Sequence, residues 1–473
     1  MGENIFFKPS TDELQKKAGV NPDSLPIDPA ISPVPSELPS EPPPLSFLKF
    51  FKIALGAIVV LGIIIAVYYL VSSVFPWGKI GKTKLTYWGL FEDTSVMKSI
   101  ITNFEKIHPE IEIDYSIQDE DQYREKLVVR SENGNGPDIF RFRNTWTPEL
   151  RSLLLPIPDS VVSKDDFSKV YYPVIQSDLI KNGNIYGIPL GIDTLNLFIN
   201  KDIFQTANLA APATWVDFVS DAKQLTVRDE NNNITTSGAA MGTYDNIANA
   251  PDIISMLFAQ NGVDINDMSS NLSAVADALS FYASFVLSPG NSWDSDKNQS
   301  VKAFASGSVA MFFGYSRDFL TIKSLNPNLA FDVHPVPALP GKNTTIANYW
   351  VEGISAKTQH RKEAILFMQY LSQKDTVKKL FTEESKKKIF GEPYARMDLA
   401  ENLRDSVIYP FVVAAPSAVS SPFTDGIPAG EIGSQLDNSL RTTINSILEG
   451  IHPQEAAESL SEEASPLLRQ YGQ

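Results

Sequence analysis

Side chains that could carry out covalent chemistry are few in this 473-residue chain, and they form no familiar catalytic pattern. Three of its four histidines directly precede a proline, which is typical of turns; the four are His108, His334, His360 and His452. No HExxH, GxSxG or phosphate-binding glycine loop is present in the sequence. The chain has no cysteine, which excludes disulfides, thiolate metal sites and a catalytic thiol. We therefore predict that it is not an enzyme and that it holds no cofactor or metal.

The amino-acid composition limits the kinds of molecule that the protein could bind. The net charge of −16 argues against a nucleic-acid-binding protein, which needs a basic stripe or patch. A hydrophobic content of 43% over this length is enough for one large two-lobed body. We therefore expect no nucleic-acid partner.

The elements that would position a site alternate between strand and helix. Apolar residues at helical spacing follow residues that alternate as in a half-buried strand, which predicts an α/β body with a parallel sheet and right-handed crossovers. The predicted elements are a strand at Lys84–Leu90, a helix from Asp93 or Thr94 to His108, strands at Ile111–Ile117 and Asp138–Phe140 around a helix at Tyr123–Val128, a helix capped by Thr214, a short helix near Val301–Phe304, strands at Val309–Phe313 and Ala330–Val336, a helix at Glu363–Leu371 and a mostly helical end at Glu431–Gln470.

An uncharged apolar run lies near the N-terminus. The run from Ile53 to Val71 reads IALGAIVVLGIIIAVYYLV, and as a helix at about 1.5 Å per residue it would span a bilayer core. Residues 1–46 hold ten of the 32 prolines and read as a disordered proline-rich tail. Since the run starts far from the first residue, it resembles an uncleaved signal anchor more than a cleavable signal peptide. We predict a transmembrane signal anchor at residues 47–76.

The charges around this run do not set its orientation. Lys49 and Lys52 flank one end, and Lys79, Lys82 and Lys84 flank the other. Long domains are translocated largely regardless of such charges. The side on which the body lies must therefore be inferred from what the body resembles.

Five stretches, in order, resemble the extracellular solute-binding proteins of the sugar-binding kind, the receptor components of ABC importers related to maltose-binding protein. The resemblance covers roughly residues 82–470. The stretches are Phe104-Glu105-Lys106 before His108-Pro109; Gly136-Pro137-Asp138-Ile139; Tyr186-Gly187-Ile188-Pro189 with Phe198-Ile199-Asn200-Lys201-Asp202 and the Pro212, Thr214, Trp215, Phe218 pattern; Phe304, Gly307, Val309-Ala310-Met311 and Gly314-Tyr315; and Gly353-Ile354-Ser355 with the helix Glu363–Leu371.

The sequence departs from the family pattern at a few positions. Phe198 replaces a tyrosine of the family's YNKD block, Ser308 replaces a lysine, and Val351-Glu352-Gly353 stands where two glycines are common. Bacterial members often carry a lipidated cysteine, which this chain lacks. The predicted membrane helix looks like its substitute.

The resemblance implies a two-lobed, periplasmic-binding-protein-like (type II) α/β fold with a hinge of several crossings, preceded by one transmembrane helix. It implies a two-lobed domain at 82–473, with lobe 1 near 84–190 and 340–387 and lobe 2 near 195–332 and 395–473. The crossings would lie near Pro189–Thr194, Val333–Leu339 and Lys388–Tyr394. Such folds bind ligands in the crevice beside the strand ends.

The resemblance also implies a function, partners and a location. We expect a protein that captures a carbohydrate solute for ABC permease subunits, tethered to the cytoplasmic membrane by one helix with its C-terminal domain extracellular or periplasmic. Two alternatives stay open: a surface receptor or scaffold that is not coupled to transport, and, less favoured, a membrane-anchored carbohydrate hydrolase with two opposed carboxylates.

Sugar recognition uses aromatic faces against the sugar ring and charged or amide groups for its hydroxyls. The candidate residues lie near predicted strand ends and in loops that could face the cleft. For each of them, core packing, helix capping or solvent exposure is the competing interpretation. The predicted ligand-binding residues are Trp88, Glu92, Asp93, Arg143, Asn144, Trp146, Asp193, Tyr244, Asp245, Trp293, Tyr315, Arg317, Trp350 and Glu352.

Overall fold

The structure is a computed structural model that describes residues 47–74, 81–287, 289–424 and 430–471. Among these residues, no helix is both long and apolar enough to cross a membrane. The predictions for the tail at residues 1–46 and for the last two residues of the anchor lie outside the described residues.

Contacts divide the chain into two compact units, with the boundary between Lys79 and Ile80. The described part of the first unit is a single helix, α1 (Phe47–Val74). The second unit holds sixteen further described helices and all fifteen described strands. Its helices are α2 (Thr94–Ile107), α3 (Tyr123–Glu132), α4 (Thr147–Leu150), α5 (Lys164–Val170), α6 (Pro173–Leu179), α7 (Lys201–Thr206), α8 (Trp215–Leu225), α9 (Ala250–Asn261), α10 (Leu272–Leu287), α11 (Ser300–Ala305), α12 (Ser316–Leu325), α13 (Arg361–Leu371), α14 (Lys374–Ser385), α15 (Tyr409–Ala414), α16 (Glu431–Leu448) and α17 (Pro453–Tyr471).

Two five-stranded sheets organise this second unit, and both are mixed rather than purely parallel. Their orders are β2-β1-β3-β14-β6 and β12-β8-β11-β10-β9. The strands are β1 (Thr83–Gly89), β2 (Ile111–Ile117), β3 (Ile139–Arg143), β4 (Ile180–Lys181), β5 (Asn184–Ile185), β6 (Ile188–Pro189), β7 (Asp193–Thr194), β8 (Asn196–Asn200), β9 (Val227–Arg228), β10 (Ile234–Ala239), β11 (Val309–Gly314), β12 (Phe331–His334), β13 (Thr345–Asn348), β14 (Trp350–Ile354) and β15 (Ala418–Val419).

The first sheet forms where the sequence pattern predicts it. Strand β1 pairs in parallel with β2 and β3, as expected for strand–helix–strand units. Strand β14 returns much later in the chain and runs antiparallel to both β3 and β6. The Asp138 carboxylate accepts hydrogen bonds from the backbone N–H of Thr86 at 2.8 Å and from its hydroxyl at 2.9 Å, which fixes β3 against β1.

Helix α2 shows why these local patterns succeed. The Asp93 carboxylate caps its first turn by accepting from the Ser95 backbone N–H at 2.7 Å. Val96, Ile100 and Phe104 point into the core, and the helix ends before Pro109. Ile107, in the last turn of the helix, is instead 64% exposed.

The second sheet has an aromatic core around β8. Phe198 is fully buried, and its ring centroid lies 4.8 Å from that of Phe312 and 5.8 Å from that of Phe331. A tyrosine hydroxyl at this position would need a buried hydrogen-bond partner. The departure from the family's tyrosine therefore fits a wholly apolar environment.

The passages between the two sheets lie side by side. The Ile192 backbone N–H donates to the Pro393 carbonyl at 2.8 Å, so the predicted first and third crossings pair with each other. Strand β7 pairs antiparallel with β13. The chain leaves the second sheet after β12 and enters the first at β14, and the predicted passage at Val333–Leu339 begins at the end of β12.

Candidate functional site

A cavity of about 1030 Å³ opens where strands of the first sheet, the crossings, and the segments that follow β10 and β11 of the second sheet meet. This volume is at the upper end of the range for small-molecule sites and is large enough for a ligand of several rings. Six of the predicted ligand-binding residues line it, and they come from distant parts of the chain: Arg143, Asp193, Tyr244, Asp245, Arg317 and Trp350.

The wall from the first sheet is aromatic. Trp350 begins β14 and is only partly buried, and its ring lies edge-to-face against that of Phe91 at 5.3 Å between centroids. The ring of fully buried Trp146 packs edge-to-face against the Trp350 ring, with 5.5 Å between the two centroids. The guanidinium of Arg143 lies 5.9 Å from the centroid of the Trp350 ring. A rigidly supported indole with a neighbouring cation suits a polar ligand with an apolar face.

The wall from the second sheet carries a tyrosine fixed by the C-terminal helices. The Tyr244 hydroxyl donates to the Asp437 carboxylate at 2.7 Å, and Arg441 lies over the Tyr244 ring at 5.2 Å. Arg441 also pairs with Asp245 at 2.6 Å. Burial raises the pKa of the Tyr244 hydroxyl, and the neighbouring Asp437 charge adds to this effect. Tyr244 is therefore a neutral, oriented side chain at the edge of the cavity.

The crossing strand β7 places one acid between the two walls. Asp193 accepts from the Ser316 backbone N–H at 2.9 and 3.0 Å to its two oxygens, and from the Ser316 hydroxyl at 2.7 Å. It thus caps helix α12 from a different segment of the chain. Burial raises the pKa of Asp193 to about 7 even though the hydrogen bonds from Ser316 oppose that shift.

A second buried acid lies beneath the same wall. Asp252, near the start of α9, accepts a hydrogen bond from the Tyr315 hydroxyl, and burial raises the pKa of Asp252. Arg317 lies over the Tyr315 ring at 5.0 Å and donates to the Asn249 amide oxygen at 3.4 Å. The starts of α9 and α12 therefore present acid, amide and guanidinium groups together, which is the chemistry that binds hydroxyl-rich ligands.

A comparison of the sequence with known protein families agrees with this architecture of two mixed sheets, paired crossings and a shared cavity. The family profile of bacterial extracellular solute-binding proteins matches residues 88–378, which is more than half of the chain. The chain belongs to this family. The resemblance predicted from the five motifs is confirmed, and so is the two-lobed α/β fold that it implied.

Relatives of this solute-binding protein are distant in sequence. A binding protein of Brucella abortus is 24% identical over 340 residues, which cover 68% of this chain and 79% of the relative. The multiple sugar-binding protein of Streptococcus mutans is 24% identical over 249 residues, covering 50% of this chain and 56% of that protein.

Solved structures share the fold. A cyclo/maltodextrin-binding protein complexed with maltotetraose superposes with a TM-score of 0.67 at 19% identity, covering 82% of this chain and 97% of that one. The sugar-binding protein of Xanthomonas citri gives a TM-score of 0.66 at 19% identity, covering 82% and 98% of the two chains.

Four predicted ligand-binding residues of this solute-binding protein lie outside the cavity lining and have other partners. Trp146 and Trp293 are fully buried, and the Trp293 indole N–H donates to the Thr243 hydroxyl at 3.0 Å. Trp88 packs under the Lys126 ammonium at 4.9 Å, and Asp93 caps α2. Helices cover both faces of such a sheet, so an aromatic ring near a strand end can pack in the core instead of facing the cleft. Its position in the sequence does not distinguish the two cases.

Four further candidates are engaged elsewhere. The Asn144 amide donates to the Ser420 hydroxyl at 2.8 Å, and Tyr315 is fully buried beneath Arg317. Glu92 and Glu352 are both buried, and both pair with Arg141. For all eight residues outside the lining, direct contact with the solute stays a prediction.

The cavity also contains polar side chains that sequence reasoning missed. They are Glu120, Asn249, Asp252, Gln299, Ser316, Asn348, Tyr349, Lys388, Glu392, Thr424, Ser434, Asp437, Asn438 and Arg441. The i, i+4 spacing of Asp437 and Arg441 puts them on one face of α16 and could have suggested a functional face. No local signal indicates that this face meets the loop that carries Tyr244.

Proposed function

We propose that this protein captures a sugar or oligosaccharide outside the cytoplasmic membrane and presents it to the permease subunits of an ABC importer. The observation that carries the proposal is the cavity, with Trp350 of the first sheet on one wall and Tyr244, from the loop after β10 of the second sheet, on the other. A solute that touches both walls favours a closed state, because only closure allows both sets of contacts. The closed form would be the one that the permease accepts.

Carbohydrate is the favoured class of solute because of the side chains that meet in the cavity. Aromatic rings offer stacking surfaces for sugar rings, and the neighbouring acids, amides and guanidinium groups offer partners for hydroxyls. The multiple sugar-binding protein of Streptococcus mutans and the sugar-binding protein of Xanthomonas citri support the same class.

We also propose that α1 anchors the protein in the cytoplasmic membrane. Described side chains at consecutive positions from Ile58 to Leu61 and from Ile63 to Ile65 are all exposed, so apolar groups cover every face of this helix. A helix that is apolar all round suits lipid better than water. With no cysteine to carry a lipid, this helix would keep the binding protein close to its permease.

The anchor has a direct test in intact cells. External protease should digest the second unit while residues 1–46 stay protected, and both should sediment with membranes. A soluble full-length protein, or a protected second unit, would contradict the proposed location.

Titration calorimetry of the full chain against a panel of mono- and oligosaccharides tests the function. We expect saturable binding to at least one sugar, and a loss of roughly tenfold to a hundredfold in affinity for Trp350→Ala. Tyr409→Ala is the matched control, since Tyr409 is an aromatic residue outside the cavity lining whose hydroxyl donates to Glu401, and it should bind within about twofold of the natural protein. Failure to bind any sugar, polyol, peptide or polyamine would contradict solute capture.

A further inference from the structure

Four glutamates lie close together beside the cavity, three of them within ion-pair distance of Arg141, and we name Glu92, Glu352, Glu384 and Glu392 the carboxylate cluster. They come from four separate places: the loop after β1, strand β14, the last turn of α14 and the third crossing. Arg141 on β3 lies among them and is 1% exposed. The fold therefore brings together acidic side chains that lie up to 300 residues apart in the sequence.

The charges within the carboxylate cluster do not balance. Arg141 forms ion pairs with Glu92 and with Glu352, the latter at 2.7 Å from Nε to Oε1, and its Nη1 lies 3.9 Å from Glu392. The other nearby cation is Lys388, whose Nζ is 3.9 Å from Glu384 Oε1. With all four acids ionised, two negative charges remain uncompensated. Burying a charge without a partner costs several kcal/mol, so another charged group or bound protons must neutralise the excess.

Carboxylate oxygens within the cluster also lack hydrogen-bond partners. Glu92 and Glu384 are each 1% exposed, yet Glu92 Oε2 and Glu384 Oε1 accept no hydrogen bond. The Glu352 Oε2 atom is buried and unpartnered as well. Buried acceptors without donors are rare in folded proteins and call for a missing partner. A cation supplies both the charge and the contacts that these oxygens lack.

The spacing of the oxygens indicates which cation fits. Glu92, Glu384 and Glu392 each offer one oxygen, and these three atoms lie within 4.8 Å of one another. Two oxygens on the same ion can be at most about 4.6–5.2 Å apart around Ca²⁺, but only about 4.0–4.2 Å apart around Mg²⁺. Both ions prefer oxygen ligands, and every separation up to 4.8 Å is compatible with Ca²⁺. Mg²⁺ usually keeps several waters and is held by only one or two carboxylates, so three carboxylates favour the larger ion. We propose that Glu92, Glu384 and Glu392 form a Ca²⁺-binding site.

The position of Glu392 connects this site with the cavity. Its side chain lines the cavity and packs against Gly191 of the first crossing, where an added Cβ would lie 2.7 Å from Glu392 Oε2. Only glycine leaves room for the carboxylate at that point. Bound Ca²⁺ would therefore join the third crossing to α14 and to the loop after β1, at the edge of the solute site.

The test uses the full chain, treated with a chelator and then titrated with CaCl₂ by calorimetry, with MgCl₂ in parallel. We expect one Ca²⁺ per chain, weaker binding of Mg²⁺, and a melting temperature that rises when Ca²⁺ is added. Glu384→Gln should weaken Ca²⁺ binding by roughly tenfold or more, because it removes one charged ligand. Its matched control is Glu383→Gln, the neighbouring acid, which pairs with Lys386 at 2.8 Å and should bind Ca²⁺ as the natural protein does.

Melting temperatures measured in chelator distinguish misfolding of a variant from loss of its Ca²⁺ site. Chelated Glu384→Gln should melt at or above the temperature of the chelated natural protein, since it removes an uncompensated buried charge. Absence of a Ca²⁺ response in the natural protein would overturn the proposal and leave bound protons to neutralise the cluster. Equal Ca²⁺ binding by the Glu383→Gln and Glu384→Gln variants would overturn it too.

Discussion

Two acidic centres border the chain crossings, and they differ in how their oxygens are satisfied. Asp193, on the side of the second sheet, accepts three hydrogen bonds from Ser316 and caps α12. The carboxylate cluster, on the side of the first sheet, brings four acids together, only three of them within ion-pair distance of Arg141, and leaves three of their oxygens without hydrogen-bond partners.

The difference separates a structural acid from acids that need a ligand. Each oxygen of Asp193 has a donor, so its removal should leave the donors of Ser316 unsatisfied. Glu384 has an oxygen with no donor within hydrogen-bond distance, so neutralising Glu384 should relieve repulsion instead. The two centres should therefore respond to similar substitutions with opposite signs.

The largest expected effect is that of Asp193→Ala. This variant should lose about 3 kcal/mol of unfolding free energy, because a set of buried hydrogen bonds disappears and the start of α12 loses its cap. Urea unfolding followed by circular dichroism measures the loss. Asp245→Ala is the control, since Asp245 is an exposed partner of Arg441, and it should cost less than about 1 kcal/mol. Equal losses in the two variants would mean that Asp193 is not a structural acid.

The second prediction concerns pH. Burial raises the pKa of Asp193 from 3.8 to about 7, with Arg317 opposing and Asp318 reinforcing the shift. The folded protein therefore keeps this proton at pH values where the unfolded chain has released it. Stability from this group should fall as pH rises from about 4 to 7, by on the order of 1 kcal/mol per pH unit. Asp193→Asn should flatten that slope in a series of urea midpoints, and an unchanged slope would contradict the assignment.

The third prediction has the opposite sign. In chelator near pH 8, Glu384→Gln should gain about 1–2 kcal/mol of unfolding free energy, because it removes a buried charge that lacks a full partner. Glu383→Gln, next to it in the sequence, should change stability by less than about 0.5 kcal/mol. Destabilisation by Glu384→Gln would show that the cluster is already balanced without a ligand.

The smallest effect is expected for Ser316→Ala. The hydroxyl of Ser316 supplies one hydrogen bond to Asp193 at 2.7 Å, while the backbone N–H remains as a donor. The loss should be about 1 kcal/mol, well below that of Asp193→Ala. Combining both substitutions should cost less than the sum of the two, since they share one interaction. Full additivity in this double-mutant cycle would argue that the two side chains act independently.

The parts of the fold that depend on local pattern could be predicted from the sequence. The cap at Thr214, the strand at Ile111–Ile117 and the end of α2 before Pro109 each follow from neighbouring residues, and the structure has them. The alternation of that strand is only partly right, since Ile111 and Ile113 are buried but Ile117 is exposed. The antiparallel return of β14 depends instead on long-range pairing with β3, which local pattern does not specify.

The candidate site was harder to predict because it is assembled from distant residues. Trp146 and Trp350 are both aromatic residues near strand ends, yet one supports the other from beneath and only Trp350 lines the cavity. Arg441 meets Asp245 across 196 positions of sequence. The carboxylate cluster shows the same limit, since its surplus charge is visible only when four separate segments have been brought together.

The central claim is that the cavity between the two sheets holds the solute. A crystal structure of the full chain with its tightest-binding sugar tests this most directly. We predict the sugar in that cavity, with a ring stacked on Trp350 and a hydroxyl within hydrogen-bond distance of the groups around Tyr244. A sugar bound elsewhere on the protein, or one that contacts a single wall with no closure of the two lobes, would contradict the claim.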